Sequence, residues 1–330
     1  MAKMIRPTTF LEWAGRNVSQ SLGGFVKSIT YTDNLSTDES EAPDEISLTL
    51  SNVDGRFLDA WYPSKGDSLK AGIQYLDLTW HWGGFEIDDV RFRFSPDEVT
   101  IKASAAKLKR AELDKAQSRS FDNVQLSALL NIVASEAGMK SVLSGPDTTI
   151  AHVEQQAESS MSMIRRLGVL YGLPVNIKSG TLYMGVPDGI EVLVLDINNR
   201  SVIKKMDLPD VVRGKYTAVK IDYYDQDKKS LISYQAGDDT APESQILRYY
   251  DAPVSTHDEA VTYANAALKE QNSKGNAKGS VTLIGTPLTS GQEIHFKGAG
   301  KAHAKWQVLN QTTTVSDAGW TGTANIGKKE

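Results

Sequence analysis

Histidine is the side chain best suited to acid–base or metal chemistry near neutral pH, because imidazole changes charge there and ligates metals when neutral. His81, His152, His257, His295 and His303 stand far apart, with no HxH, HxxxH or HExxH spacing between any two. Histidines scattered in this way are expected on the surface or as satisfied core residues. His81 lies between Trp80 and Trp82, and strand alternation would point it away from both. Asp88-Asp89 could be offered as a glycosidase-type acid pair. Adjacent strand residues face opposite sides, however, so the two carboxylates would not flank one bond. Gly298-Ala299-Gly300-Lys301 lacks the upstream glycine and the downstream Ser or Thr of a phosphate-binding loop, so a hairpin tip is the expected reading. Neither a GxSxG elbow nor a GxGxxG turn occurs. Lys107-Leu108-Lys109-Arg110 gathers positive charge without interleaved aromatics, which reads as a solvated face rather than a nucleic-acid site. The sequence contains no cysteine, which removes disulfides, zinc–thiolate sites and thiol nucleophiles. No catalytic, cofactor-binding or metal-ligating residue is assigned, and no cofactor is expected.

With chemistry unpromising, the elements themselves carry the information. At 330 residues the chain is long enough for two or three domains. Hydrophobic content of 40% beside 23% charged residues is that of a globular chain rather than a disordered one. No apolar run approaches the ~20 residues of a membrane span. The opening MAKMIRPTTFLEW lacks the apolar core of a signal peptide, so neither membrane anchoring nor general secretory export is expected. A net charge of −5 argues against a nucleic-acid binder.

The most informative stretch is Asp44–Asp67, DEISLTLSNVDGRFLDAWYPSKGD. Ile46, Leu48 and Leu50 alternate with Ser47, Thr49 and Ser51, the pattern of a half-buried strand. Asn52-Val53-Asp54-Gly55 then supplies turn chemistry. The cluster Phe57, Leu58, Trp61 and Tyr62 is expected as core packing that braces the loop, with an interface role as the other reading. If Trp61 is core, Trp61→Ala should cost roughly 3–5 kcal/mol. Around this stretch, Phe25–Thr32 reads as a strand, and the Ser-rich acidic linker 33–44 as solvated surface without calcium-loop spacing. Leu76, Leu78, Trp80 and Trp82 alternate up to Gly83-Gly84, expected as a hairpin turn. Phe85 and Ile87 are odd-numbered whereas Val90, Phe92 and Phe94 are even, which predicts a β-bulge at Asp88-Asp89. Ser95-Pro96-Asp97 turns the chain into Val99, Ile101 and Ala103. Strands at this spacing favour a closed barrel.

Residues 106–190 change period. Leu126, Leu129, Leu130, Val133 and Ala137 predict a helix with Asp122 or Asn123 as N-cap and Gly138 as stop. A second helix holds Met163, Ile164, Leu167 and Leu170, capped by Ser159 or Ser160 and closed by Gly172. A hairpin, 174–177 and 182–184, follows around Ser179-Gly180. Residues 191–330 return to strands at 192–194, 216–224, 231–234, 245–250, 281–284, 292–296, 306–309 and 312–315, with a final one after Gly319-Trp320-Thr321. One helix interrupts them at about 256–272, opened by the Thr256/Glu259 capping box.

The order of these features resembles the phage late control gene D family, the baseplate hub proteins of contractile phage tails, with relatives in R-type pyocins and type VI secretion spikes. Asp54, Gly55, Trp61, Tyr62, Pro63, Gly66 and Asp67 carry the match in the first segment. Ser120-Phe121, Ala134 to Gly138 and Leu167 to Gly172 carry it in the second. In the last, an alanine-rich helix, a strand, a proline turn, Gly291 and the closing Gly319-Trp320-Thr321 repeat the family's pattern. The chain departs from it at Ser159-Ser160-Met161-Ser162, where the family's second helix usually opens with Ser-Asp.

The fold expected is therefore mainly β with an α+β insertion: a first antiparallel β-barrel over 1–105, two helices and a hairpin over 106–190, and a second barrel over 191–330. The resemblance implies that the two barrels are alike, that the chain is not an enzyme, and that it forms a homotrimer presenting six similar units around a passage for DNA. It further implies a place in the virion tail baseplate, assembled in the host cytoplasm, with a trimeric spike, the tail tube protein and other baseplate proteins as partners. Such a ring would adapt a six-fold tube to a three-fold spike. A tail-associated cell-wall hydrolase, a peripheral receptor- or carbohydrate-binding tail protein, and the hub portion of a type VI spike are the alternatives. The first has no spare domain to carry it, and the last would continue into a repetitive needle pattern that is not seen.

Overall fold

A computed structural model describes residues 7–35, 43–76, 78–105, 112–178, 180–187, 189–210, 216–225, 228–250, 252, 254–275, 277–302 and 304–329. The chain is mainly β. The first segment contains β1 (Thr8–Trp13), β2 (Arg16–Asn17), helix α1 (Ser19–Gly23), β3 (Val26–Asn34), β4 (Glu45–Ser51), β5 (Ser68–Tyr75), β6 (Leu78–Arg93) and β7 (Glu98–Ser104). The middle contains β8 (Ala116–Gln125), α2 (Leu126–Glu136), β9 (Lys140–Ser144), β10 (Thr149–Ser159), α3 (Ser160–Leu170), β11 (Val175–Lys178) and β12 (Thr181–Gly185). Then come β13 (Leu193–Asp196), β14 (Ile203–Asp207), β15 (Ala218–Asp225), β16 (Ser230–Gly237), β17 (Ile246–Tyr249) and α4 (His257–Gly275). The chain closes with β18 (Lys278–Ile284), β19 (Glu293–Lys297), β20 (Lys305–Ser316) and β21 (Gly319–Lys329).

Alternation in the sequence becomes rows of buried side chains. Ile46, Leu48 and Leu50 of β4 lie opposite Ala103, Ile101 and Val99 of β7, and all six are fully buried. Ile29 and Tyr31 of β3 join the same rows. The parity change in β6 is a bulge, because the register to β7 shifts between Ile87 and Asp89. Gly83-Gly84 is not a turn. Strand β6 runs unbroken through it, with Gly83 opposite Ala71 and Gly84 opposite Lys70, and the chain reverses instead near Leu76. The register to β5 shifts there, and Gly83 takes φ of 99°, so the glycines bend the strand rather than end it. Nor are 306–309 and 312–315 separate: both lie in β20, joined across a bulge between Val308 and Asn310.

The strands of the first segment and those near the C-terminus are hydrogen-bonded to one another. They share one thirteen-stranded sheet, ordered β14-β18-β21-β20-β3-β4-β7-β6-β5-β1-β2, with β19 also on β20 and β13 on β19. The seam is the β3–β20 ladder, from Asn34↔Asn310 to Ser28↔Ser316. Two hydrophobic cores lie under this sheet. The first contains Ile46, Phe57, Trp82 and Ile101, and the second Ile294, Phe296, Trp306 and Ile326. Strands β20 and β21 serve both, since Val315 and Trp320 pack into the first core. Trp320 stacks on Trp80 at 6.1 Å and meets Tyr75 edge-on at 5.9 Å.

The middle of the chain has a core of its own, in which α2 and α3 cover Leu182, Met184 and Val175. Helix α2 begins after Gln125, because Asp122 and Asn123 are still in β8. Its cap comes from afar: Asp147 accepts from the Ser127 amide (2.9 Å) and hydroxyl (2.6 Å). Helix α3 is capped as read, the Ser162 amide donating to Ser159 Oγ at 3.0 Å. Within 191–330 the strands divide between two sheets. Strands β16-β15-β17 form a small sheet covered on one face by α4, whose Ala260 and Ala264 meet Val219, Ile221 and Tyr223.

Trp320 is 3% exposed, and its ring fills the first core from the end of the chain. Trp320→Ala is expected to cost roughly 3–5 kcal/mol of stability through the cavity it leaves, measured by urea unfolding followed at the first core's tryptophans.

Candidate functional site

Among the described residues the chemistry-bearing side chains do not converge. His81 is exposed, edge-on to Phe10 at 5.5 Å, on the face opposite buried Trp82. His152 Nδ1 lies 2.6 Å from Asp122, with Glu154 at 3.5 Å from Nε2, and the Asp122 hydrogen bond raises the imidazole above its ordinary pKa. His257 begins α4, edge-on to Tyr234 at 5.4 Å. His295 Nε2 lies 2.6 Å from Glu293, whose carboxyl is lowered to about 2 by Lys329 first and His295 second. His303 and the basic run Lys107–Arg110 lie outside the described residues. Asp88 accepts from Ser104 Oγ at 2.6 Å, beside the bulge. Gly298 to Gly300 connects β19 to a short turn before β20, as a hairpin tip would. Among the described residues, no group of three or more His, Asp or Glu is placed to hold a metal ion.

A cleft of about 730 Å³ opens between α3, α4, the segment with Val186, Pro187, Gly189, Ile190 and Val192, and the strands β19 to β21. Val169, Leu173, Val192 and Leu309 give it apolar walls, and the Glu293–Lys329 ion pair (2.9 Å) lies at its margin.

The densest polar arrangement is structural, where three parts of the chain meet. Alternation along β3 puts Asp33 in phase with Ile29 and Tyr31, so a carboxylate follows two core residues into the interior. Asp33 Oδ1 accepts from Lys178 Nζ at the end of β11 and from Ser290 Oγ at 2.6 Å, and its Oδ2 from the Ser290 amide at 2.8 Å. Lys178 Nζ also donates to Ser290 Oγ at 2.8 Å. Asp44 accepts from the Asn34 amide at 3.0 Å, and the Asn176 side chain donates to the Asn34 carbonyl. One lysine therefore faces two buried carboxylates. Burial first and Asp33 second push the Asp44 carboxyl up to about 7, against the lowering pull of Lys178, the Asn34 amide and the Tyr31 hydroxyl. The linker 33–44 was expected as solvated surface. Its two ends are instead buried because each is paired, and 36–42 lie outside the described residues. A charged residue in phase with a hydrophobic strand face was the signal in the sequence. A second tie joins α4 to β10: buried Glu259 accepts from the Ser255 and Thr256 amides and, across the chain, from the Ala151 amide at 2.9 Å.

The aromatic cluster of the first segment divides. Phe57 is fully buried, edge-on to Trp61 at 6.1 Å. Leu58, Trp61 and Tyr62 are exposed, so the expectation that they brace the core holds for Phe57 alone. The turn Asp54–Arg56 lifts them outward, with Tyr62 stacked on Phe92 at 5.8 Å. Val53 and Phe94 extend this exposed apolar rim, their loops tied by the Asn52 amide donating to the Asp97 carbonyl.

No protein-family model matches the chain. In sequence it is similar to the probable baseplate hub protein of Escherichia phage P2, 27% identical over 183 residues, which is 54% of this chain and 45% of that protein. The probable baseplate hub protein of Escherichia phage 186 is 22% identical over 54% of the chain and 44% of the relative. The chain thus spans less than half the length of these relatives. In fold it is similar to the 43 kDa tail protein of prophage MuSo2 from Shewanella oneidensis, with a TM-score of 0.71, 15% identity and 97% and 98% of the two chains covered. A tail protein from Neisseria meningitidis MC58 gives a TM-score of 0.73 at 12% identity, covering 98% of this chain and 97% of that one. A type VI secretion component of E. coli, described as structurally similar to T4 tail proteins gp27 and gp5, gives 0.54 at 13% identity, over 93% and 74%.

The junction has a testable pH dependence. The Asp44 pKa is higher folded, about 7, than the ordinary 3.8, so the folded chain holds the extra proton. That contribution to stability is fully present below about pH 4 and is lost as pH rises towards 7. Asp44→Asn cannot ionise. Urea unfolding at a series of pH values should show the variant gaining on the wild type between pH 4 and 7; a difference flat across that window would contradict the assignment.

Proposed function

We propose that this chain is a baseplate hub protein of a contractile phage tail or tail-like particle, acting mechanically rather than as an enzyme. The observation that carries the reading is the single sheet laid over two β cores, in a fold that matches phage tail proteins along nearly its whole length. Three copies around an axis would set six cores in a ring, one solution to joining a six-fold tube to a three-fold spike. The main path of the sheet ends in short β2 on one side and β14 on the other, with β13 closing a side branch on β19, and the ends of the main path would face neighbouring copies head to tail. The partners in this reading are two further copies, a trimeric spike, the tail tube protein and other baseplate proteins, with DNA passing through unread. The site of action would be the virion tail baseplate, after assembly in the host cytoplasm.

The test is native mass spectrometry of the chain co-expressed with the spike and tube proteins of its own particle. Three copies per spike are expected, together with no clearing on a peptidoglycan zymogram. Lysis on the zymogram, or a peripheral position in the particle with affinity for host glycans, would overturn the reading.

The exposed rim supplies a second expectation. Trp61 is 36% exposed, so Trp61→Ala should cost less than full burial implies, about 1–2 kcal/mol by urea unfolding. A loss of assembly larger than this loss of stability would place the rim in a contact between chains.

A further inference from the structure

Strands at the edge of a sheet present unpaired backbone groups, and proteins usually blunt such edges with charge, proline or shortness. Most single-partner strands here follow that rule. Strand β2 has two residues and β11 four, β14 carries Lys204 and Lys205, β9 Lys140, β13 Asp196 and β17 Arg248. Strand β16 does not. It reads Ser-Leu-Ile-Ser-Tyr-Gln-Ala-Gly over Ser230–Gly237, eight residues with neither a charge nor a proline. Among the described residues its only ladder partner is β15.

Which of its backbone groups are free follows from the register. Ala218 pairs with Gly237, and the Asp238 amide donates to the Thr217 carbonyl at 2.9 Å. That bond makes 218↔237 a non-hydrogen-bonded pair, so Ile232, Tyr234 and Ala236 bond to β15. The amides and carbonyls of Leu231, Ser233 and Gln235 therefore point away from the sheet, and among the described residues no backbone hydrogen bond meets them. One end of the adjacent face is apolar and exposed, beyond the polar pairs Asp222↔Ser233 and Lys220↔Gln235. Leu231 lies directly across from Tyr224, the two 73% and 55% exposed, and Tyr250 on the far side is 72% exposed.

We propose that this edge pairs, antiparallel and two-fold, with the same edge of a second copy of the chain. The argument for that occupant is self-complementarity. Lys229 precedes the strand and Asp239 follows it, and neither is engaged in an ion pair within the chain among the described residues. A two-fold axis through Tyr234 sets Ser233 opposite Gln235, both with outward backbone groups, and brings Lys229 of each copy alongside Asp239 of the other. Of the registers that pair outward groups with outward groups, this one also flanks the uncharged stretch at both ends by opposite charges. A contact of this symmetry cannot close a three-fold ring. It belongs to the free chain and does not depend on the hub reading.

Sedimentation velocity of the full chain over about a hundredfold range of concentration tests the proposal. The wild type should pass from monomer to dimer. Ser233→Pro removes one outward donor and should hold the chain monomeric; it also removes the bond from the Ser233 hydroxyl to Asp222 of β15, so Ser233→Ala, which loses that bond alone, is the control and should still dimerise. Lys229→Asp or Asp239→Lys alone should weaken the dimer about tenfold, since each sets like charges together twice. Lys229→Asp with Asp239→Lys should restore it. Amide exchange at Leu231, Ser233 and Gln235 should slow in the dimer, and circular dichroism of each variant reports whether it folds. A chain monomeric throughout, or an oligomer of any size indifferent to the charge exchange, would overturn the proposal.

Discussion

One ladder of backbone hydrogen bonds, between β3 near the start of the chain and β20 near its end, fixes how everything else is arranged. Without it the two β cores would be beads on a string, free to reorient about a linker. With it they lie under a continuous sheet, and turning one core against the other means breaking a run of paired amides at once. Trp320 adds a side-chain lock, since the last hairpin places its ring among Trp80 and Tyr75 of the first core. In the proposed ring this stiffness is itself the function, because each copy must offer two cores at a set spacing.

Polar contacts at the junction do a different job. Packing alone would let the helical part of the chain slide over the sheet, whereas Lys178 reaching Asp33, and Ser290 meeting the same carboxylate, define one position. Buried ion pairs contribute little net stability, because desolvation offsets most of the attraction, and they serve better as registration devices. Two carboxylates against one lysine leave an excess negative charge inside, which the raised pKa of Asp44 answers with a proton rather than with a second cation.

Much of this was legible in residue order. A change of parity between Ile87 and Val90 marks the bulge in β6, and Thr256 with Glu259 marks the start of α4. Local signals failed where the answer was not local. Gly83-Gly84 reads as a turn in isolation, but pairing with β5 on one side and β7 beyond it carries the strand straight through. The cap of α2 comes from Asp147, far along the chain, so no inspection of residues before Leu126 finds it. Aromatic residues after Gly55 look like core because they cluster, yet only Phe57 turns inward once the loop is closed. The union of both cores in one sheet was invisible for the same reason: nothing in β3 or β20 alone names its partner.

Electron cryomicroscopy of the particle that contains this chain measures the arrangement directly. The account predicts three copies on the central axis, with the core of β4 and β7 and the core of β18 and β21 alternating at one radius to make six. A chain lying off that axis, or its two cores at unequal radii, would contradict it.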